Sequence, residues 1–168
     1  MEATMPDLLT HVLVGYCLGT LTAARLGQFQ GTTTVVMLGA LLPDLTKIRL
    51  VLTDARMEAI LGIPFSWQAL HTLGGVLVMA AVGGLLVEDT YRQRVFALLL
   101  LGAFSHLVLD SLLIKPSGYA APLWWPFLTA ALPTPGLYLS FDRWPTLLAG
   151  PIAFVVFLWR RYCATTTR

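Results

Sequence analysis

A histidine and an aspartate stand four residues apart, His106 and Asp110, inside a run from Val95 to Ile114 that is otherwise almost wholly apolar. On a helix, positions i and i+4 share a face, so the imidazole and the carboxylate point the same way. Such a pair is costly in an apolar helix unless it is paired, hydrated or bound to a metal, and inside a membrane it marks a functional site. The chain has two further histidines, His11 and His71, and another aspartate, Asp44, that also sit at the ends of apolar runs. Imidazole nitrogen and carboxylate oxygen are common zinc ligands, and a catalytic zinc keeps one position open for water. A bound divalent ion would also neutralise Asp44 and Asp110 where they lie. The predicted metal set is therefore His11, Asp44, His71, His106 and Asp110, with Asp44 or Asp110 doubling as the base that takes a proton from water.

Each residue taken alone has a plainer reading. A single histidine in a membrane helix usually hydrogen-bonds across to a neighbouring helix. Asp44 follows Leu41-Leu42-Pro43, where a short acid can cap amides freed at a proline kink. His71 stands at a helix start, where a polar residue is ordinary, and His106 with Asp110 forms an internal pair as readily as a ligand pair. What favours the joint reading is depth.

The chain is 57% hydrophobic and 12% charged, with a mean hydropathy of +0.74, which no ordinary soluble domain shares; it reads as one integral membrane domain over residues 1–168. A spanning helix needs about 20 mostly apolar residues. Five windows approach this, Leu8–Leu26, Thr33–Leu52, Ala69–Val87, Val95–Ile114 and Thr146–Tyr162, and predict an all-α, multi-pass transmembrane bundle of about five helices. In an antiparallel bundle the start of an odd helix and the end of an even one lie at the same face. His11 and His71 are at starts of odd windows, and Asp44, His106 and Asp110 toward ends of even ones. At 1.5 Å per residue all five fall within roughly two turns in depth.

Two connectors, Gly27–Thr32 and Glu88–Arg94, are short and polar and predict tight hairpins. Thr53–Gln68 and Lys115–Pro145 are longer, and the second carries Leu123-Trp124-Trp125-Pro126-Phe127, which suits a loop lying on the bilayer surface and holding the acyl part of a lipid there. Net charge is only +2 and the basic residues are scattered, so nucleic acid is excluded as a partner. Cys17 and Cys163 lack any zinc-ribbon or disulfide pattern and read as packing residues. Gly15 and Gly19, and the pairs Gly74-Gly75 and Gly83-Gly84, allow helices to approach closely. Lys47 and Arg49 either snorkel to the interface or meet a phosphate near the metal. Glu2 and Asp7 in place of a basic segment predict no cleavable signal peptide. Arg25, Arg92, Arg94, Arg160, Arg161 and Arg168 fall on the short-loop side, against Lys47, Arg49, Arg56, Lys115 and Arg143 on the other; the terminal arginines tip the expected orientation toward an extracytoplasmic metal site in the cell membrane.

The series Thr10-His11, Leu42-Pro43-Asp44, Leu70-His71-Thr72, Ser105-His106 with Asp110, and then Leu123 to Phe127, resembles the YdjM-like family of membrane-bound metal-dependent hydrolases. The same order is similar to the zinc-dependent phospholipase C fold. That likeness implies that Asp44, His71, His106 and Asp110 hold one metal, with His11 and a shared Asp110 helping to hold a second. Where the family often reads Leu-Pro-Asp-x-Asp-His, this chain has Leu42-Pro43-Asp44-Leu45-Thr46-Lys47, and Ser66-Trp67-Gln68 replaces a His-Arg-Gly. No histidine follows His106, so one zinc rather than a trinuclear centre is expected.

The resulting expectation is a divalent-metal hydrolase, most simply a zinc enzyme, acting on an ester or phosphoester of a lipid or lipid-linked substrate in the bilayer. The alternative is a non-hydrolytic transporter or scaffold with an intramembrane His/Asp cluster. A transporter needs polar groups at mid-depth, whereas these gather at one end.

Overall fold

A computed structural model describes residues 6–26, 31–115, 118, 122–130 and 132–166. The predicted turn at 27–30 and Arg168 lie outside the described residues. The architecture is all-α: α1 (Pro6–Leu26), α2 (Thr32–Leu41), a 3-10 helix (Leu42–Leu50), α3 (Asp54–Leu61), a short 3-10 helix (Trp67–His71), α4 (Leu73–Leu85), α5 (Asp89–Ser111) and α6 (Trp144–Thr166). Among the described residues, three stretches are long and apolar enough to cross a membrane, Leu8–Arg25, Asp89–Ser111 and Trp144–Cys163.

The second and third windows differ from the expected continuous helices. Pro43 has no N–H to continue the α2 hydrogen bonding, and the chain tightens there into the 3-10 helix. α4 starts only at Leu73, because Thr72 is extended and caps the helix through its Oγ1, which accepts from the Gly75 N–H at 3.1 Å. The Trp-rich loop completes that cap. Leu73 N–H donates to the Leu123 carbonyl at 2.7 Å and Gly74 N–H to the Trp125 carbonyl at 2.8 Å, so the amides that open α4 are satisfied from a distant segment. α3 is a helix within a connector read as a loop; Thr53 caps its start and Gly62, at φ 69°, its end. The helix and its flanks expose Val51, Ile60 and Ile63, as a segment lying at a membrane surface does.

α2 is the centre of the bundle, held between α1 and α5, with α6 outside α1 and α4 outside α5. Glycines set these approaches. A Cβ on Gly15 would press on Ala40, and one on Gly19 would meet the Thr33 backbone. Across the other seam a Cβ on Gly39 would collide with the Leu99 backbone and one on Gly102 with Val36 O and Ala40 N. Backbone therefore lies on backbone where α2 meets α5. Val36 and Ala40 of α2, Val76 of α4 and Ala103 and Leu107 of α5 have no exposed surface. The start of α1, the end of α2, the start of α4 and the end of α5 meet at one end of this core.

Candidate metal centre

α5 carries Val95, Leu99, Gly102, His106 and Asp110 as buried residues at helical spacing, so the face that packs on its neighbours also delivers the imidazole and the carboxylate. Because Gly102 lets α5 rest on the α2 backbone, His106 one turn later reaches the α2 main chain: its Nδ1 is 2.7 Å from the Ala40 carbonyl oxygen. That carbonyl is available for a local reason. Leu42 N–H bonds back three residues to Gly39 O; the next bond in that series would run from residue 43 to Ala40, and proline has no donor. His71 is anchored likewise, with Nδ1 3.1 Å from the Pro43 carbonyl oxygen, which Thr46 Oγ1 also approaches at 3.1 Å.

A carbonyl oxygen can only accept, so both Nδ1 atoms carry the proton; a neutral His106 then turns its Nε2 lone pair inward, whereas His71 Nε2 is hydrogen-bonded to the Asp110 carboxylate. All three imidazoles face that one carboxylate. His71 Nε2 is 2.5 Å and His106 Nε2 3.5 Å from Asp110 Oδ2, while His11 Nε2 is 3.3 Å from Asp110 Oδ1. His11 stacks on His106 with ring centroids 3.8 Å apart and an interplanar angle of 16°. His71 stands edge-on to His106 at 5.2 Å. His11 and His106 are each 1% exposed and Asp110 7%.

The donor chemistry fits a cation. One ligand atom from each of His11, His106 and Asp110 falls in a group whose members all lie within 4.8 Å of one another, so these three could hold a metal ion. Among the described residues, His106 Nε2 and Asp110 Oδ1 are buried with no hydrogen-bond partner. Orphaned buried acceptors around one point are costly without an ion and are what a borderline divalent ion binds. The Nδ1–carbonyl bonds supply the outer support that metal-bound histidines usually have, fixing tautomer and ring orientation.

Four of the five predicted residues, His11, His71, His106 and Asp110, are thus brought into one cluster at one end of the bundle. Asp44 stands beside it rather than in it. Its Oδ1 is paired with Lys47 Nζ at 2.6 Å, and its Oδ2 is buried without a hydrogen bond among the described residues. The lysine is therefore the aspartate's counter-ion, an i,i+3 spacing readable in the sequence. The Ala40 and Pro43 carbonyls had no such signal beyond the proline itself.

A family model described as YdjM inner membrane protein matches residues 5–167. The chain belongs to the YdjM family of inner membrane proteins. No curated protein and no solved structure gives a match. The likeness of this YdjM chain to the zinc-dependent phospholipase C fold therefore rests on residue order alone. Its membrane character rests on the family and on the three spanning stretches together.

Proposed function

We propose that this YdjM protein is a membrane-embedded, divalent-metal-dependent hydrolase, with zinc as the metal, acting on an ester or phosphoester of a lipid or lipid-linked substrate. The observation that carries the reading is the Nδ1 anchor of His106: with that proton committed to the Ala40 carbonyl, the Nε2 lone pair of His106 is left buried beside the carboxylate of Asp110, whose Oδ1 has no hydrogen-bond partner among the described residues. Lone pairs facing a carboxylate repel, and a bound cation reverses the sign of that interaction. His11, His106 and Asp110 would hold the ion, joined by His71. When bound, it supplies Lewis-acid polarisation of the ester and activation of water at neutral pH.

The chain's own groups divide the remaining work. Asp44, close enough to His71 for their charges to interact, keeps Oδ2 free of hydrogen bonds among the described residues and takes the proton released by the attacking water. Lys47, about a third exposed, pairs with Asp44 and orients an anionic oxygen of a phosphoester. The surrounding helices exclude bulk water from the cluster. An extracytoplasmic cluster is part of the reading, supported by the arginines of the short-loop side.

One observation favours a second reading. The close His71–Asp110 contact also suits an imidazolium–carboxylate lock inside a non-hydrolytic transporter or scaffold. Elemental analysis of protein purified in mild detergent separates the two. One zinc per chain is expected in the wild type, falling to background in His106→Ala and in Asp110→Ala, with hydrolysis of phospholipids or lipid phosphates lost in parallel. A wild type that stays metal-free on addition of zinc or manganese would refute the hydrolase and leave the lock.

A further inference from the structure

A largely apolar slot of about 290 Å³ opens between α1, the end of α5 and α6. Its α1 wall is Thr10, Val14, Cys17 and Leu18, and its α6 wall runs from Trp144 through Leu148 and Ala149 to Ile152. Both walls start at the cluster end of the bundle and run toward the bilayer middle, because the hydroxyls of Thr10 and Thr146 meet there at 2.7 Å. Eight residues of helix give the slot a length of roughly 12 Å along the helix axes. Spread over that length, its volume makes it one hydrocarbon chain wide.

The lining says what fits. No charged side chain contributes to it. Its hydroxyls already have partners: Thr10 bonds Thr146, and the Tyr138 hydroxyl donates to the Leu109 carbonyl at 2.9 Å. A strongly polar or charged occupant would therefore find no free hydroxyl and no charge to meet it, and would lose its own hydration. Tyr138 and Trp144, edge to face at 5.9 Å, sit at the cluster end, where aromatic rings at a membrane–water boundary belong. Leu148 and Ile152 are half-exposed, so the slot is open sideways to lipid.

The slot and the cluster also share turns of helix. Thr10 and Leu109 line the slot, and the next residues in the chain, His11 and Asp110, belong to the cluster. On a helix adjacent residues differ by about 100° in direction, so the two features open on neighbouring faces at one depth.

We propose that the slot is the binding site for one alkyl chain of a membrane lipid, holding the lipid's ester or phosphoester at the depth of the His/Asp cluster. As the site of the substrate's chain this rests on the hydrolase reading; as a chain-binding site it does not. Ala149, at the wall between Leu148 and Ile152, limits what the slot admits.

The test uses the full chain in micelles of a mild maltoside detergent, titrated with a phospholipid bearing a diazirine on one acyl chain. After irradiation, labelled residues are mapped by mass spectrometry. Label at Cys17, Leu148 and Ala149 is expected to saturate as the probe fraction rises, while label on the outward-facing Phe154 and Val155 grows in proportion to it. Ala149→Phe, which fills the slot, and Leu148→Trp, which narrows its sideways opening to lipid, should each lower slot labelling by about tenfold and leave the outer labelling unchanged. Slot labelling that grows in proportion to the probe, or never exceeds that of Phe154 and Val155, overturns the proposal on the wild type alone, whatever the variants do. Saturable labelling without any hydrolysis keeps the slot and removes the hydrolase; hydrolysis with unsaturable slot labelling does the reverse.

Discussion

Where α2 meets α5, Gly39 and Gly102 bring backbone against backbone; where α1 meets α6, the helices stand apart around an apolar slot and are tied at its mouth by two threonines. Burial follows the same division, with 44% of the α5 span buried inside the protein against 11% of the α6 span. The polar chemistry sits at the tight seam. An imidazole that must reach a main-chain carbonyl at 2.7 Å needs two backbones fixed relative to each other, and small residues supply that in a membrane, where apolar side chains gain little by leaving lipid for protein. The loose seam suits the opposite task, since an occupant that exchanges with the bilayer needs room and an opening.

The sharpest way to break this contrast is to put a side chain into the tight seam. Gly102→Leu drives its Cβ into Val36 O and Ala40 N, neither of which is a flexible side-chain end. Overpacking of this kind should cost about 3 kcal/mol or more. Thermal unfolding in detergent should show a large loss of stability, with the metal lost as well. A variant that melts like the wild type would mean that α2 and α5 can part without harm, and the seam would no longer explain where the cluster lies.

Pro43→Ala probes the same seam more gently. It restores an N–H at residue 43 that can bond the Ala40 carbonyl in competition with His106 Nδ1. Loss of an outer partner of a metal ligand typically weakens metal binding by about 10–100-fold. Zinc titration against a competing chelator should show a shift of that order in a protein that stays folded. Unchanged affinity would show that the carbonyl does not set the ring, and the reading of His106 as an oriented ligand would fall.

How much of this was readable beforehand depends on the kind of signal. Alternating apolar windows fix direction, and direction alone brings His11, His71, His106 and Asp110 to one end, so the cluster follows from a one-dimensional pattern. Among the described residues, the α-helix outside the five apolar windows is α3, and its ends are local chemistry present in the sequence: Thr53 before Asp54 and Gly62 after Leu61 are cap signals. The Lys47–Asp44 pair was legible as an i,i+3 spacing, yet the lysine alone suggested only the interface or a phosphate. Gly39 and Gly102 lie in separate windows and form no motif; their meaning appears only when α2 is set against α5. The Trp-rich loop is a case of long-range bonding, because Leu123 and Trp125 cap a helix some 50 residues earlier in the chain, which no local pattern encodes.

The smallest effect is expected at the loose seam, and its smallness is what makes it informative. Thr146→Val keeps the shape of the side chain while removing the hydroxyl that meets Thr10. Hydrogen bonds between membrane helices average about 0.6 kcal/mol, because the separated helices find other partners. Reversible unfolding in detergent should therefore change by about that amount. In a Cys163→Ser background, alkylation of Cys17 on the slot wall should become faster as α6 moves away from α1. If stability fell as far as in Gly102→Leu, α6 would be bound as firmly as α5, and the two seams would not differ in kind. If stability changed little and Cys17 became no more reactive, the threonines would not be what closes the mouth, and control of the slot would pass to the aromatic pair Tyr138 and Trp144.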